Sequence, residues 1–188
     1  MLPGFIKAAL PKTPQKMPPL SVKKTDDGII VHRWMMDVEP APFYQKVVEF
    51  AGNCDRLQHY EVRYPSHALI KTIFTPAGTG GPDGPLDDQT FVMDSYNFMT
   101  PTSEKETRYY WFQLRNIRPD DAELSAMMTE DVKHAFEEGL AILEKVQTGM
   151  DEKTSAHIDL NIDGGQLRFR RQLEAMISEE AMVDQAMA

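Results

Sequence analysis

Between Leu124 and Val146, the positions Leu124, Met128, Val132, Ala135, Phe136, Gly139, Ile142, Leu143 and Val146 recur at three- and four-residue steps. That spacing lays them along one face of a long helix. Arg118-Pro119-Asp120-Asp121 opens the helix, with either aspartate able to cap it, and Thr148-Gly149 is expected to stop it near Gln147. A stripe of that length needs a broad apolar surface to lie on. The sequence before it supplies strands: Ile29 to Met36, Leu57 to Tyr64, Ala68 to Thr75, Gln89 to Met99 and Thr107 to Ile117 are short and rich in β-branched and aromatic residues.

Turn signals separate these runs. Gly52-Asn53 and Pro65-Ser66 mark tight connections, and residues 76 to 88 hold too much Pro and Gly for regular structure. Residues 43 to 51 read as a short helix or an irregular connection. Five strands at this spacing suit antiparallel pairing, and the fold class that follows is α+β, a curved antiparallel sheet gripping a long C-terminal helix. A pocket between sheet and helix is the natural consequence. Gly164 to Met182 reads as a second helix whose Arg168, Arg170 and Arg171 form a solvated face. Residues 1 to 27, with Pro3, Pro11, Pro14, Pro18 and Pro19, read as a proline-rich arm or linker remnant, and residues 28 to 183 as a single domain.

Composition narrows the function classes. No apolar run approaches the roughly 18 residues that span a bilayer, and no charged-then-apolar leader pattern opens the chain, so a cytoplasmic protein without membrane contact is expected. With 29 acidic against 20 basic side chains, a net charge of -9 disfavours a nucleic-acid partner. The lone Cys54 forms no internal disulfide and reads as a buried thiol. His32, His59, His67, His134 and His157 show no metal-binding spacing, so no metal site is expected within the chain. The methionines read as core filler, and Asp55-Arg56 as a turn-associated ion pair.

Several segments carry a resemblance. Arg33-Trp34-Met35-Met36-Asp37 is followed by Pro40 and Pro42, then Gly52-Asn53-Cys54-Asp55-Arg56, then Pro76-Ala77-Gly78-Thr79-Gly80. Asn97 to Asn116 contains Thr100-Pro101, Glu104, Thr107, Tyr109 and Trp111, and the helix contains Phe136-Glu137-Glu138-Gly139-Leu140-Ala141-Ile142-Leu143-Glu144. In order and spacing, from about Gly28 to Leu173, this resembles the C-terminal catalytic domain of Rieske-type aromatic oxygenases of the vanillate O-demethylase type. The resemblance implies a helix-grip, START-like fold and aromatic O-demethylation or ring hydroxylation, with dioxygen and electrons passed from NAD(P)H by a reductase.

The family chemistry uses a [2Fe-2S] cluster on two Cys and two His, and a mononuclear non-haem iron on two His and one carboxylate. The resemblance places the cluster and the histidine pair upstream of Gly28, where residues 1 to 27 hold no histidine. The helix Asp of the family falls on Gly139. No cofactor is therefore expected in this chain, and by itself it is not expected to be an active oxidoreductase. At Gly139 two readings stand: close packing of helix on sheet, or room for a ligand. Glu138 lies about 100° away around the helix and is expected to face solvent.

Tyr109, Tyr110, Trp111 and Phe112 alternate across their strand, so two of them face the pocket. The expected pocket residues are Tyr109, Trp111, Phe136, Gly139 and Leu143. Expected partners are an aromatic or apolar small molecule, a Rieske-domain or reductase protein, and further copies of the chain. The alternative is a non-catalytic helix-grip module that binds an apolar small molecule or a partner subunit.

Overall fold

A computed structural model describes residues 18–79, 81, 84–152 and 158–187. The arm residues before 18 and His157 lie outside the described residues. Six antiparallel strands form one sheet in simple sequence order: β1 (Ser21–Lys24), β2 (Gly28–Val38), β3 (Cys54–Arg63), β4 (His67–Pro76), β5 (Phe91–Pro101) and β6 (Thr107–Arg115). Five of these strands are the predicted ones, within a few residues at each end. The sixth is β1, which pairs Ser21 with His32 and Lys24 with Ile29, so the sheet begins at Ser21 rather than Gly28. Its four residues are too short and too polar to stand out as a strand.

The helices are α1 (Pro42–Gln45), α2 (Ala122–Glu152) and α3 (Gly164–Met187), with a single 3-10 turn at Asn161–Asp163 before α3. One face of the sheet carries all three. Register defines that inner face: Ile29, Val31, Arg33 and Met35 on β2; Cys54, Arg56, Gln58, Tyr60 and Val62 on β3; Ala68, Ile70, Thr72 and Phe74 on β4; Phe91, Met93, Ser95 and Asn97 on β5; and Tyr109, Trp111, Gln113 and Arg115 on β6. Phe74, Phe91, Met93 and Cys54 meet Tyr44, Val47 and Val48 from the α1 region and Leu124, Met128 and Val132 from α2, forming the core. The second half of β4 is buried on both faces.

Helix α2 starts where expected. Asp121 Oδ1 accepts the Leu124 N–H at 2.8 Å, and Arg115 donates to the Arg118 and Asp121 carbonyls and to Ser125 Oγ, pinning the first turn to the end of β6. It runs past the predicted stop at Gln147 to Glu152. Thr148 returns a hydrogen bond to the Glu144 carbonyl, and Asp151 accepts from both Gln147 and Lys105, which offsets the helix cost of Gly149. The predicted apolar stripe is only half used: Leu124, Met128 and Val132 are buried, whereas Leu140, Ile142, Leu143, Val146 and Met150 are exposed.

Helix α3 sits on the β1–β2 side. A Cβ on Gly165 would fall 2.6 Å from Val31 Cγ2, so glycine permits the close approach. Phe169 stacks on Tyr64, Lys24 donates to Gln172, and Arg168 reaches the Val22 carbonyl. With α2 seated beside β6 and α3 beside β2, the middle of the inner face lies between them.

Candidate functional site

The inner face of the β5–β6 pair builds an aromatic corner with α2. Trp111 and Asn97 are register partners, and Tyr109 lies one inner position further along β6. Phe136 arrives from α2 and sets its ring edge against both, 5.6 Å from Tyr109 at 81° and 5.2 Å from Trp111 at 90°. These three predicted pocket residues therefore meet. Gly139, one helical turn after Phe136, has no atom within 4 Å of a built Cβ. The close-packing account of this glycine thus does not hold, because α2 has already lifted away from the sheet. Leu143, another turn on, is 67% exposed and contributes no wall to an enclosed cavity.

The corner has a polar floor. The Tyr109 hydroxyl donates to Asn97 Oδ1 at 2.6 Å, and Asn97 Nδ2 donates to the Ser95 carbonyl at 3.0 Å. Asn97 is 2% exposed and Ser95 3%, and the Ser95 hydroxyl is buried without a hydrogen-bond partner. Burial pushes the Tyr109 phenol above its ordinary value, so it remains a neutral donor. Across the sheet, Arg33 Nε donates to Gln58 Oε1 at 2.7 Å, and Tyr44 Oη lies 3.5 Å from Thr72 Oγ1. Of these polar groups Tyr109 was expected at the pocket, and Ser95, Asn97, Arg33 and Gln58 were missed from the sequence. Their signal was phase: Ser95 and Asn97 fall on the same side of β5 as Phe91 and Met93, where a core-facing strand holds apolar residues.

Other expected residues separate. Asp55 and Arg56 are not an ion pair, because consecutive strand residues point to opposite faces. Asp55 is buried and accepts the Asp37 N–H at 2.8 Å and the Gly78 N–H at 2.9 Å, holding the bulge at the end of β2 to the turn after β4. Arg56 lies over the rings of Tyr44 and Phe74. His32 and His59 stack across strands at 6.2 Å on the outer face, His67 packs edge-on to Phe98, and His134 is an exposed neighbour of Glu138 on α2 at 3.7 Å. Cys54 is fully buried, donates to the Val38 carbonyl, and burial pushes its thiol up to about 12, which rules it out as a nucleophile near neutral pH.

Comparison with known proteins decides the family. Residues 9–179 match the family described as the vanillate O-demethylase oxygenase C-terminal domain. The chain belongs to that family. Among its relatives, the vanillate O-demethylase oxygenase subunit of a Pseudomonas species (strain ATCC 19151) is 32% identical over 170 residues, which is 86% of this chain and 51% of that protein. The toluene-4-sulfonate monooxygenase system iron-sulfur subunit of Comamonas testosteroni is 28% identical over 116 residues, covering 62% of this chain and 33% of that protein. The chain thus spans about half the length of the vanillate relative it matches. The crystal structure of dicamba monooxygenase bound to 3,6-dichlorosalicylic acid shares the fold, with a TM-score of 0.71 at 17% identity over 87% of this chain and 48% of that one.

The vanillate O-demethylase C-terminal domain family brings the question of iron, and the donor set here does not fit it. Among the described residues no three His, Cys, Asp or Glu side chains converge on a point that could hold a metal ion. At the helix position where the resemblance puts the iron carboxylate, Gly139 offers space and no oxygen. The single cysteine of this chain cannot supply the two thiolates of a Rieske cluster. Among the described residues no helix is long and apolar enough to cross a membrane.

Proposed function

We propose that this chain is the substrate-pocket part of a Rieske-type aromatic oxygenase, binding a planar arene for O-demethylation or ring hydroxylation. The observation that carries this reading is the corner formed by Tyr109, Trp111 and Phe136 beside the open space at Gly139. Ring edges from two directions suit the face and rim of a flat aromatic ligand. The orphaned Ser95 hydroxyl and the Tyr109–Asn97 pair supply hydrogen bonding for an oxygen substituent on it. The vanillate and toluene-4-sulfonate systems named among the relatives act on substituted aromatics, which supports the same substrate class.

In this proposal the cluster and the iron ligands come from polypeptide other than the residues described here, and electrons come from a reductase partner in the cytoplasm. The six-stranded sheet from Ser21 and the helices to Met187 act as one domain carrying the pocket, and further copies of the chain are natural partners. The missing carboxylate at Gly139 supports a second reading, a non-catalytic helix-grip module that binds an apolar small molecule or a partner subunit.

Iron analysis and arene titration of the purified chain test the proposal together. Substoichiometric iron with saturable binding of anisole is the expected result. Stoichiometric iron would overturn the assignment of the ligands to other polypeptide. Absence of arene binding would overturn the pocket.

A further inference from the structure

Helix α3 leaves the sheet after its first half. Gly165, Phe169 and Gln172 meet Val31, Tyr64 and Lys24, whereas every residue from Glu174 to Gln185 is exposed. Met176, Ile177, Met182 and Val183 are among the exposed side chains. A helical stretch of that length, with apolar groups in water and nothing packed beneath it, is marginal by itself.

The charges of α3 are sorted along its length. Gly164 to Leu173 holds Arg168, Arg170 and Arg171 and no acid, and Glu174 to Met187 holds Glu174, Glu179, Glu180 and Asp184 and no base. The helix dipole favours the reverse order, with acids near the N-terminus and bases near the C-terminus. Among the described residues none of these side chains forms an ion pair. A second helix running antiparallel offsets both the dipole and the charge order. Turned end for end, α3 is itself such a helix, because its acidic half then lies along its own basic half.

The spacing supplies a seam for that contact. Arg170, Leu173, Ile177, Glu180 and Asp184 recur at three- and four-residue steps, about a quarter turn around the helix from the side that meets the sheet. An antiparallel pair that sets Leu173 opposite Ile177 of the second copy also sets Arg170 opposite Glu180, once on each side of the two-fold axis.

We propose that this seam of α3 is an interface between two copies of the chain, packed antiparallel about a two-fold axis. It goes beyond the pocket reading and does not depend on it. The self-complementary order of charge selects a second copy over an unrelated protein. A contact of about three to four helical turns is small for a specific interface, so association in the micromolar range is expected.

Sedimentation equilibrium of the purified full chain, from micromolar to near-millimolar concentration at low salt, tests the interface. The parent is expected to show a monomer–dimer equilibrium. Arg170→Glu and Glu180→Arg each set like charges against one another twice, and each is expected to weaken self-association about tenfold, with circular dichroism unchanged. Mixing the two variants restores both opposite-charge pairs only in the antiparallel register, and the mixture is expected to dimerise as the parent does. A parent that stays monomeric throughout, or that forms a trimer, would overturn the proposal. So would single variants that associate like the parent, or a mixture that stays as weak as its components.

Discussion

The hydroxyl of Tyr109 and the side-chain carbonyl of Asn97 are 2.6 Å apart, linking an edge strand to the buried polar floor beside it. Tyr109→Phe removes the donor and leaves a buried acceptor with one partner fewer. The expected cost is about 1–2 kcal/mol, read as a lower urea midpoint with an unchanged slope. An unaltered midpoint would mean that the bond contributes nothing net.

Phe136 and Leu143 lie on the same predicted stripe and are expected to behave differently. Phe136→Ala strips the ring from Tyr109 and Trp111 and is expected to destabilise by about 2–3 kcal/mol, below the full core value because the residue is only half-buried, with a red shift in tryptophan emission. Leu143→Ser is expected to fall within about 0.5 kcal/mol of the parent. Equal losses at the two positions would place the C-terminal half of α2 against the sheet.

Gly139→Ala is expected to stabilise the chain by up to about 1 kcal/mol, because alanine is the better helix former and its methyl meets nothing. A fall in melting temperature would restore the close-packing account. Gly139→Asp is expected to yield no turnover of a methoxylated arene, since a lone carboxylate does not complete an iron site.

The buried Asp55 carboxylate serves two backbone donors with two oxygens. Asp55→Asn keeps the shape and one acceptor but turns the other atom into a donor facing an N–H. A loss of about 1–3 kcal/mol is expected, measured by chemical denaturation.

Asp121 sets a pH dependence. The Leu124 N–H, and then Arg118, hold its carboxyl below the ordinary value of 3.8 against a smaller opposing effect of burial. The folded pKa is depressed, so the stabilisation is fully present above the unfolded value and is lost as pH falls through the folded one. In Asp121→Asn the midpoint of thermal unfolding is therefore expected to trail the parent at pH 7 and to converge with it in acid. A constant gap across pH would remove the charge from the account.

Sheet, order and long helix were legible because Pro, Gly and alternating β-branched residues punctuate strands from Ile29 to Ile117, and because a 3.6-residue period is hard to mistake from Leu124 onward. β1 was not legible, since Val22 is its single apolar residue and its pairing comes from β2. The site was half legible. Tyr109, Trp111 and Phe136 announce themselves by residue type, but Arg33, Gln58, Ser95 and Asn97 become neighbours only through register across several strands. Leu143 was misplaced because periodicity tells which face of a helix is apolar without telling where the sheet beneath it ends.

The divided helix gives the chain a gradient of local stability. Its first turns are tied to β6 by Arg115 and sunk among Tyr44, Phe74 and Phe91, so their amides open only when the whole domain does. Beyond Leu140 the turns rest on the helix's own hydrogen bonds and the single ion pair of Asp151 with Lys105, and are expected to fray without disturbing the sheet. The space beside Gly139 lies at the boundary between these two regimes. Its width is thus set by the solvent-exposed half of the helix on one side and the buried polar floor on the other.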